Sequence, residues 1–404
     1  MENRTYTEYE KLIKQKSTKD LTEKQKETYD NFSVAMSSNP GTQAMFKFLN
    51  NGNVQLKYEP NSKGKTILKG TYTEETRHAK IEITHVDYSK VLEKEATNII
   101  NQLKEEQQDL YKRNKNSLFD LKFLALLEQY ALYNASQDDF NEKIVTAITL
   151  VDTDLADKFN MSVRSVQESL NGVTRNRYKY NEKTKKQERI QKHYIGTIEN
   201  LNDIRLNVKF KTKRNISVDI PGGLQPYTIS RIKDKANKKV GLVITINSQY
   251  LVYERLYLKN GDKNGAYERL PYFIWTIDNS TDFMIIKYCY DLLRNNKNKA
   301  RKVKVKNFLD NVGIVDDTGR NARANLYEPF NKHISKINKD YKDFINIDYE
   351  QREFEATDGT IDFEEWKNTN LVITYKKTPL YGTIESNKKK YIEASKDKKD
   401  KEAV

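Results

Sequence analysis

The chain has 404 residues, and its 71 Lys and Arg against 57 Asp and Glu give a formal net charge of +14. Single cores rarely exceed about 250 to 300 residues, so the length predicts more than one domain, and the charge favours a polyanionic partner. The one cysteine, Cys289, excludes an internal disulfide, and the lack of an N-terminal apolar segment or of a run of about 18 apolar residues predicts a cytoplasmic protein without a membrane partner.

The first 112 residues predict two segments. Residues 1–43 are polar and predict an arm with a short helix near 21–32, followed by a breaker cluster at 37–41. Residues 44–112 predict a small β-meander and then a charged helix near 92–112. The meander is predicted because 54–58, 66–72 and 79–86 alternate apolar and polar residues.

The segment 153–170 carries the strongest functional signal. It follows an apolar helix predicted over 118–133 and a strand predicted over 143–149. In a helix-turn-helix the first helix packs across the second, which requires apolar residues at the crossing and a tight turn. Asn160 and Met161 predict the turn, and Ser162 predicts the cap of the second helix. The side chains predicted to face the interior are Leu155, Ala156, Phe159, Val163, Val166 and Leu170.

The outer face of the second helix predicts DNA contacts. Its side chains are of the types that reach base edges or phosphates in a major groove. The predicted DNA-binding residues of this segment are Ser162, Arg164, Ser165 and Gln167. Any two short amphipathic helices could produce the same window, so a purely structural role stays open.

A basic hairpin is predicted directly after this helix. Basic residues outnumber acidic ones over 174–192, and strand-like tyrosines lie at both ends of the run. A basic hairpin after a recognition helix is what the wing of a winged helix requires, whereas the alternative is a solvated charged loop. The predicted DNA-binding residues here are Arg175, Arg177, Lys179, Lys185 and Lys186.

Residues 200–275 are rich in β-branched and aromatic side chains. Strands are predicted at 204–210 and 240–246, and turns at 221–223 and 259–262. We interpret this region as the end of a first winged-helix domain over 113–275 and its long β-rich connector.

The region 276–380 repeats the earlier order. An apolar helix at 283–293, a basic spacer at 294–306 and a short helix at 305–314 precede a second helix at 320–338 and strands at 344–349 and 370–375. Pro329 should kink that second helix or split it, with 325–328 as the lead-in and Pro329 in the first turn of the true helix. Leu326, Phe330, Ile334 and Ile337 are predicted inside. The predicted DNA-binding residues are Arg301, Lys302, Lys304, Arg320, Arg323, Asn325, Lys332 and Lys336.

Enzyme signatures are missing. The glycine that a phosphate-binding loop needs before Gly64, Lys65 and Thr66 is Glu59, and the histidines never occur as His-x-His. The acids Asp152 and Asp154 are explained more simply by Asp152 or Thr153 capping a helix. We therefore expect no catalytic residue, no metal site and no cofactor.

Over 117–377 the order of elements resembles the initiator proteins of theta-replicating, iteron-carrying plasmids. The resemblance rests on the apolar helices at 118–133 and 283–293, the helix-turn-helix at 153–170, and the closing helix and strands. It implies an α+β fold with two winged-helix domains in tandem, preceded by a small β-rich N-terminal region. It further implies a first unit that mainly dimerises and a second that reads the repeat. The N-terminal 110 residues and the long loop at 211–270 depart from that family plan.

The expected function is sequence-specific binding of double-stranded DNA, with initiation of plasmid or mobile-element replication at repeated origin sequences. A host helicase or helicase loader and a second copy of the chain are the further expected partners. A transcriptional regulator or phage repressor with the same modules is one alternative. A non-enzymatic structural or assembly protein of a mobile element is another, and a Lys- and Asn-rich composition is also what an AT-rich genome produces. Residues 381–404 are predicted to form a Lys-rich disordered tail.

Overall fold

The computed structural model describes residues 33–50, 55–60, 66–75, 79–92, 118–135, 147–181, 185–194, 196–211, 217–260, 267–294, 300–314, 322–357 and 359–375. Across these ranges the fold is α+β, with helices packed on small antiparallel sheets. The helices predicted near 21–32 and 92–112, Arg320, and the tail at 381–404 lie outside the described residues.

The helices are α1 Pro40–Leu49, α2 Leu118–Ala135, α3 Asp152–Phe159, α4 Val163–Asn171, α5 Thr197–Asn202, α6 Ser248–Asn260, α7 Ser280–Arg294, α8 Val305–Val312, α9 Glu328–Asp340 and α10 Phe363–Asn368. The strands are β1 Ser33–Ser37, β2 Gln55–Pro60, β3 Thr66–Glu75, β4 Ala79–Leu92, β5 Ala147–Val151, β6 Val173–Asn181, β7 Lys186–Tyr194, β8 Ile204–Lys211, β9 Ser217–Leu224, β10 Tyr227–Lys233, β11 Lys239–Ile246, β12 Tyr267–Pro271, β13 Ala300–Lys304, β14 Ile345–Tyr349 and β15 Asn370–Tyr375. None of these helices combines the length and hydrophobicity that crossing a bilayer requires.

Most residues from 36 to 50 are buried. β1 pairs with β12, and Phe46 of α1 stacks on Phe283 of α7 with ring centroids 6.3 Å apart. Asn39 caps α1 by accepting a hydrogen bond from the Thr42 backbone N–H. The arm predicted over 1–43 is therefore wrong for 33–43, because the breaker cluster at 37–41 starts a buried helix instead of separating an arm.

A five-stranded antiparallel sheet has the order β2-β3-β4-β8-β9. It joins the meander predicted over 44–112 to strands that we assigned to the first winged-helix domain. The turn predicted at 221–223 is wrong, because those residues lie inside β9. There Ile220 pairs with Val208 and Leu224 with Leu206, so the extra β9 residues form a bulge.

Two parts of the chain share one topology. The first repeat consists of α2, β5, α3, α4, β10 and β11, and the second of α7, β13, α8, α9, β14 and β15. In each, a helix is followed by a strand, two helices and two further strands. In each sheet the last strand is central and pairs with both others, giving the orders β10-β11-β5 and β13-β15-β14. The first repeat also contains β6, β7, α5, β8 and β9 between α4 and β10.

The match is closest over 147–160 and 300–313. Each range is a five-residue strand, an eight-residue helix that follows it directly, and a left-handed residue that ends the helix. Their inward and outward positions agree almost throughout, although only Ala147 with Ala300 and Asp157 with Asp310 are identical. The basic spacer predicted over 294–306 instead contains a strand, β13. Of that strand, only Val303 is fully buried.

Candidate nucleic-acid interface

The turn between α3 and α4 has the geometry that the sequence predicts. Asn160 ends α3 in the left-handed conformation, with φ 53° and ψ 51°. Asn tolerates this conformation better than most residues because its short polar side chain forms local hydrogen bonds. The Ser162 hydroxyl then accepts from the Ser165 N–H at 3.1 Å, so Ser162 caps α4 as predicted.

The buried stripe of this pair of helices is confirmed with one exception. Leu155, Ala156, Phe159, Val166 and Leu170 are buried. Val163 is 38% exposed, because it is the first residue of α4 and points away from α3. It is therefore a surface residue next to Arg164.

The predicted contact residues of α4 have different environments. The Arg164 side chain is 88% exposed, and its Nε forms an ion pair with Glu168 Oε1 at 3.0 Å. Ser165 Oγ lies 2.8 Å from Ser162 Oγ. The Gln167 amide does not point outward, since Nε2 donates to Asp152 Oδ2 at 3.0 Å and to the Lys239 carbonyl at 3.2 Å. Gln167 thus holds α4 against α3 and β11.

Asp152 is a tertiary anchor and not the predicted helix cap. The residue at the N-cap of α3 is Val151, which forms no side-chain cap. Both Asp152 carboxylate oxygens accept from Arg231 at 2.7 Å, and both side chains are almost fully buried. A bidentate Arg–carboxylate pair fixes orientation as well as distance. It therefore locks β10 to the start of α3.

The hairpin β10–β11 lies beside α4, and none of its residues is among the predicted DNA-binding residues. Lys239 Nζ donates to Asn171 Oδ1 at 3.1 Å, while the Lys239 carbonyl accepts from Gln167. The tight turn forms because Asp234 Oδ1 accepts from the Lys238 N–H at 2.8 Å and Asn237 adopts φ 62°. The exposed cations of this hairpin are Lys233, Lys235, Lys238 and Lys239. The lysine run at 233–239 between two alternating strands was the signal that could have revealed them.

The predicted hairpin at 174–192 is formed by β6 and β7, which pair from Val173 with Tyr194 to Asn181 with Lys186. Arg175, Arg177 and Lys179 occupy alternate positions of β6, and Lys185 is exposed at the turn. At the base of the hairpin a Cβ on Gly196 would collide with the Gly172 backbone nitrogen, so only glycine fits there. This two-stranded sheet is separate from the sheet of the first repeat.

In the second repeat the prediction for Pro329 is confirmed. A π-helical turn at Arg323–Tyr327 precedes α9, which begins at Glu328 with Pro329 in its first turn. A proline there removes no helical hydrogen bond. Leu326, Phe330, Ile334 and Ile337 are buried, as expected.

Several predicted contact residues of the second repeat bind other parts of the protein. Arg323 donates from Nε to Glu328 at 2.9 Å and from a terminal nitrogen to the Gly359 carbonyl at 3.0 Å. Lys336 binds Asp278 at 2.6 Å and Asp282 at 3.0 Å. Lys302 pairs with Glu350. Asn325 and Lys332 are exposed on α9 and its lead-in, whereas Arg301 and Lys304 lie on β13.

The two hairpin connections carry opposite charge. The β10–β11 turn is basic, whereas the β14–β15 connection contains α10 and is mainly acidic. Its described acidic residues are Glu350, Glu353, Glu355, Asp362, Glu364 and Glu365, and its described cations are Arg352 and Lys367. The two repeats therefore present different surfaces to a polyanion.

Comparison of the chain with models of known protein families, with curated proteins and with solved structures finds no match.

Proposed function

We propose that the protein binds double-stranded DNA through two winged-helix modules, one in each repeat. The observation that carries this proposal is the basic β10–β11 hairpin held beside α4. A helix-turn-helix followed by a hairpin of the same sheet is the arrangement in which a helix enters the major groove while the hairpin contacts the adjoining backbone. In the first repeat, α4 is the recognition helix and β10–β11 is the wing.

Charge supports this assignment. Lys233, Lys235 and Lys238 are exposed and close in sequence, so they can neutralise neighbouring phosphates with release of counterions. The ion pair of Arg164 with Glu168 lies at the surface, and such pairs contribute about 0 to 1 kcal/mol. Arg164 is thus free to exchange Glu168 for a phosphate or a base edge. The hairpin β6–β7 adds a second basic segment directly after α4.

Within this class we propose initiation of plasmid or mobile-element replication at repeated origin sequences. The proposal draws on the resemblance in element order and on the duplicated topology of the two repeats. A host helicase or helicase loader would be recruited by the bound protein. A homodimer formed by the first repeat is supported by the part of its sheet away from the basic β10–β11 turn, where these exposed side chains are uncharged: Ala147, Thr149, Val151, Thr228, Ser230, Val243 and Thr245.

The wing is tested with the full chain carrying Lys235→Ala and Lys238→Ala. Losing two phosphate contacts should flatten the plot of log affinity against log salt by about 1.8, at about 0.9 per contact. Duplex affinity is measured by fluorescence anisotropy over a salt series. The matched control is Lys80→Ala with Lys209→Ala, which removes equal charge from exposed positions of β4 and β8. Equal slopes for the two double variants would exclude β10–β11 as the wing.

Arg164→Ala separates base reading from backbone binding. A base contact predicts a loss of about 1 to 3 kcal/mol on the selected site and a smaller loss on random duplex. DNA sites that bind the protein are first selected from its coding DNA and from the DNA on either side of that coding region. Tandem repeats beside an AT-rich segment would support an initiator, and a lone promoter site a regulator. No duplex binding at about 0.15 M salt would reject the proposal in favour of an assembly protein.

A further inference from the structure

An open groove of about 460 Å³ lies in the second repeat, between α7, β13 and α8. Tyr288 and Leu292 of α7 form one wall. Cations and amides supply the other polar side chains that line the groove: Arg301, Lys302, Lys304, Asn307, Asn311 and Asn370. The volume falls in the range of about 300 to 1,000 Å³ that is usual for small-ligand sites.

Several hydrogen-bond donors in the groove lack a partner. Within the described part of the chain, the side chains of Arg301, Lys304 and Asn307 make no hydrogen bond or ion pair, and the Nε of Arg301 is buried. A buried donor without an acceptor costs about 1 to 3 kcal/mol, and more when it is charged. Lys304 and Asn307 are exposed, so their ammonium and amide groups are accessible to a ligand that brings negatively charged oxygens.

Acidic side chains lie at the margins. Glu350 accepts hydrogen bonds from Lys302 and Asn370, so those two donors are already engaged. Asp291 and Asp310 act electrostatically on Tyr288 at the α7 wall, where burial raises the pKa of Tyr288 well above its ordinary value. The donors left for a ligand are therefore those of Arg301, Lys304 and Asn307.

The first repeat has the same topology but different side chains at the positions that line this groove. In the matched segments, Arg301 corresponds to Ile148, Lys304 to Val151 and Asn307 to Asp154. The first repeat thus has two apolar residues and an acid where the second has two cations and an amide. Lys304 and Asn307 are exposed, and so are Val151 and Asp154, their counterparts in the first repeat. The cationic and amide side chains at these positions therefore distinguish the second repeat from the first.

We propose that this groove binds a phosphate group through Arg301, Lys304 and Asn307. Guanidinium, ammonium and amide groups that line one groove, and that make no hydrogen bond or ion pair within the described residues, are the donor types that bind phosphate oxygens. This inference rests on the proposed function, because it takes the bound phosphate to belong to a nucleic-acid backbone. The second repeat would then hold DNA at β13 and α8, away from its acidic β14–β15 connection.

The test uses the full chain with Asn307→Asp, which places in the groove the residue of the first repeat. Asn307 is exposed in the first turn of α8, where an added carboxylate favours the helix, so the variant should fold. Lys304→Ala is a second variant. Lys306→Ala is the matched control, because Lys306 is exposed on the same turn but does not line the groove.

Two probes separate the sources of the phosphate. Inorganic phosphate, compared with chloride at equal ionic strength, should raise the unfolding temperature of the wild type and of Lys306→Ala but not of Asn307→Asp. Random-sequence duplex should bind at least about fivefold more weakly to Asn307→Asp and Lys304→Ala, with a salt slope lower by about 0.9. Lys306→Ala should change the duplex affinity less than about twofold.

A phosphate effect that is absent in the wild type, or that persists in Asn307→Asp, overturns the site. If the wild type still binds duplex in that case, the proposed function stands without this groove. Loss of the phosphate effect in Asn307→Asp with unchanged duplex binding supports the phosphate site and assigns it to free phosphate or a nucleotide.

Discussion

Asn160 and Gly313 end matching helices in the same left-handed conformation but have different neighbours. Asn160 is exposed, whereas a Cβ on Gly313 would lie 3.2 Å from both the side-chain nitrogen and the carbonyl oxygen of Asn50. Asn50 also donates to the Val312 carbonyl at 2.6 Å. The end of α8 is therefore a contact with the segment that follows α1, while the end of α3 is a free turn.

This difference predicts unequal costs for alanine. Asn160→Ala adds only the backbone strain of an alanine in the left-handed conformation. That strain is about 1 to 2 kcal/mol, from which the strain that asparagine already has at this position must be subtracted. Gly313→Ala adds a tight contact with Asn50, so its loss in the free energy of unfolding should be the larger. Urea denaturation of both variants measures the difference, and Asn160→Gly is the control that should be nearly neutral. Equal losses at the two positions would contradict the packing of Gly313 on Asn50.

At the scale of elements, one buried cluster fixes α4 to the β10–β11 hairpin. Asp152 at the start of α3 binds Arg231 of β10, and Gln167 of α4 donates to the same carboxylate. Two consecutive helices and a strand whose Arg231 lies 79 residues after Asp152 therefore share one anion. The separation between α4 and the basic hairpin depends on this carboxylate.

A double-mutant cycle tests that anchor. Removing one member of a buried ion pair leaves an uncompensated charge, so Asp152→Ala and Arg231→Ala should each lower the free energy of unfolding by about 3 to 5 kcal/mol. The double variant should lose much less than the sum, because neither charge then stays buried alone. Urea denaturation of the four proteins gives the coupling, and additive losses would show that the pair is not a stabilising unit.

At the scale of the whole molecule, buried carboxylates join segments from three parts of the chain. Glu128 of α2 accepts from Thr42 at 2.9 Å, Tyr227 at 2.6 Å and Tyr250 at 2.8 Å. Glu254 of α6 accepts from the Asn39 amide. Burial raises the pKa of Glu128 to about 7, and burial together with the nearby Glu128 raises the pKa of Glu254 well above its ordinary value. The N-terminal segment is thus held by acids that favour their protonated form.

These shifts predict how stability depends on pH. Between the unfolded pKa of about 4.3 and the folded pKa of Glu128, the folded protein binds more protons than the unfolded chain, so stability falls as pH rises through that interval. The free energy of unfolding should therefore decrease from pH 5 to about 7. Glu128→Gln should flatten that slope, as measured by urea denaturation at a series of pH values. An unchanged slope in Glu128→Gln would show that Glu128 titrates normally in the folded protein.

The sequence by itself determined the elements whose signal is local. Dense runs of apolar residues predicted α2 and α7, and the alternation of apolar and polar residues predicted β8, β11 and β15. The turn at Asn160 and the cap at Ser162 could be predicted because both depend on neighbouring residues. The start of α9 directly before Pro329 agrees with the missing N–H of proline. α6 was missed, since its tyrosines and valine favour strands by propensity and its burial against α2 is a tertiary effect.

Only the tertiary structure decided which segments meet and which charges are already satisfied. The burial of 33–50, the pairing of β4 with β8 and the strand β13 all depend on partners far away in the chain. The hydrogen bond of Gln167 and the ion pairs of Lys302 and Lys336 also depend on acidic side chains in other parts of the chain. A local pattern encodes periodicity and turns, whereas ion pairs and strand pairing depend on distances in space. The position of the basic β10–β11 hairpin beside α4 and the cationic groove of the second repeat could therefore be found only in the folded chain.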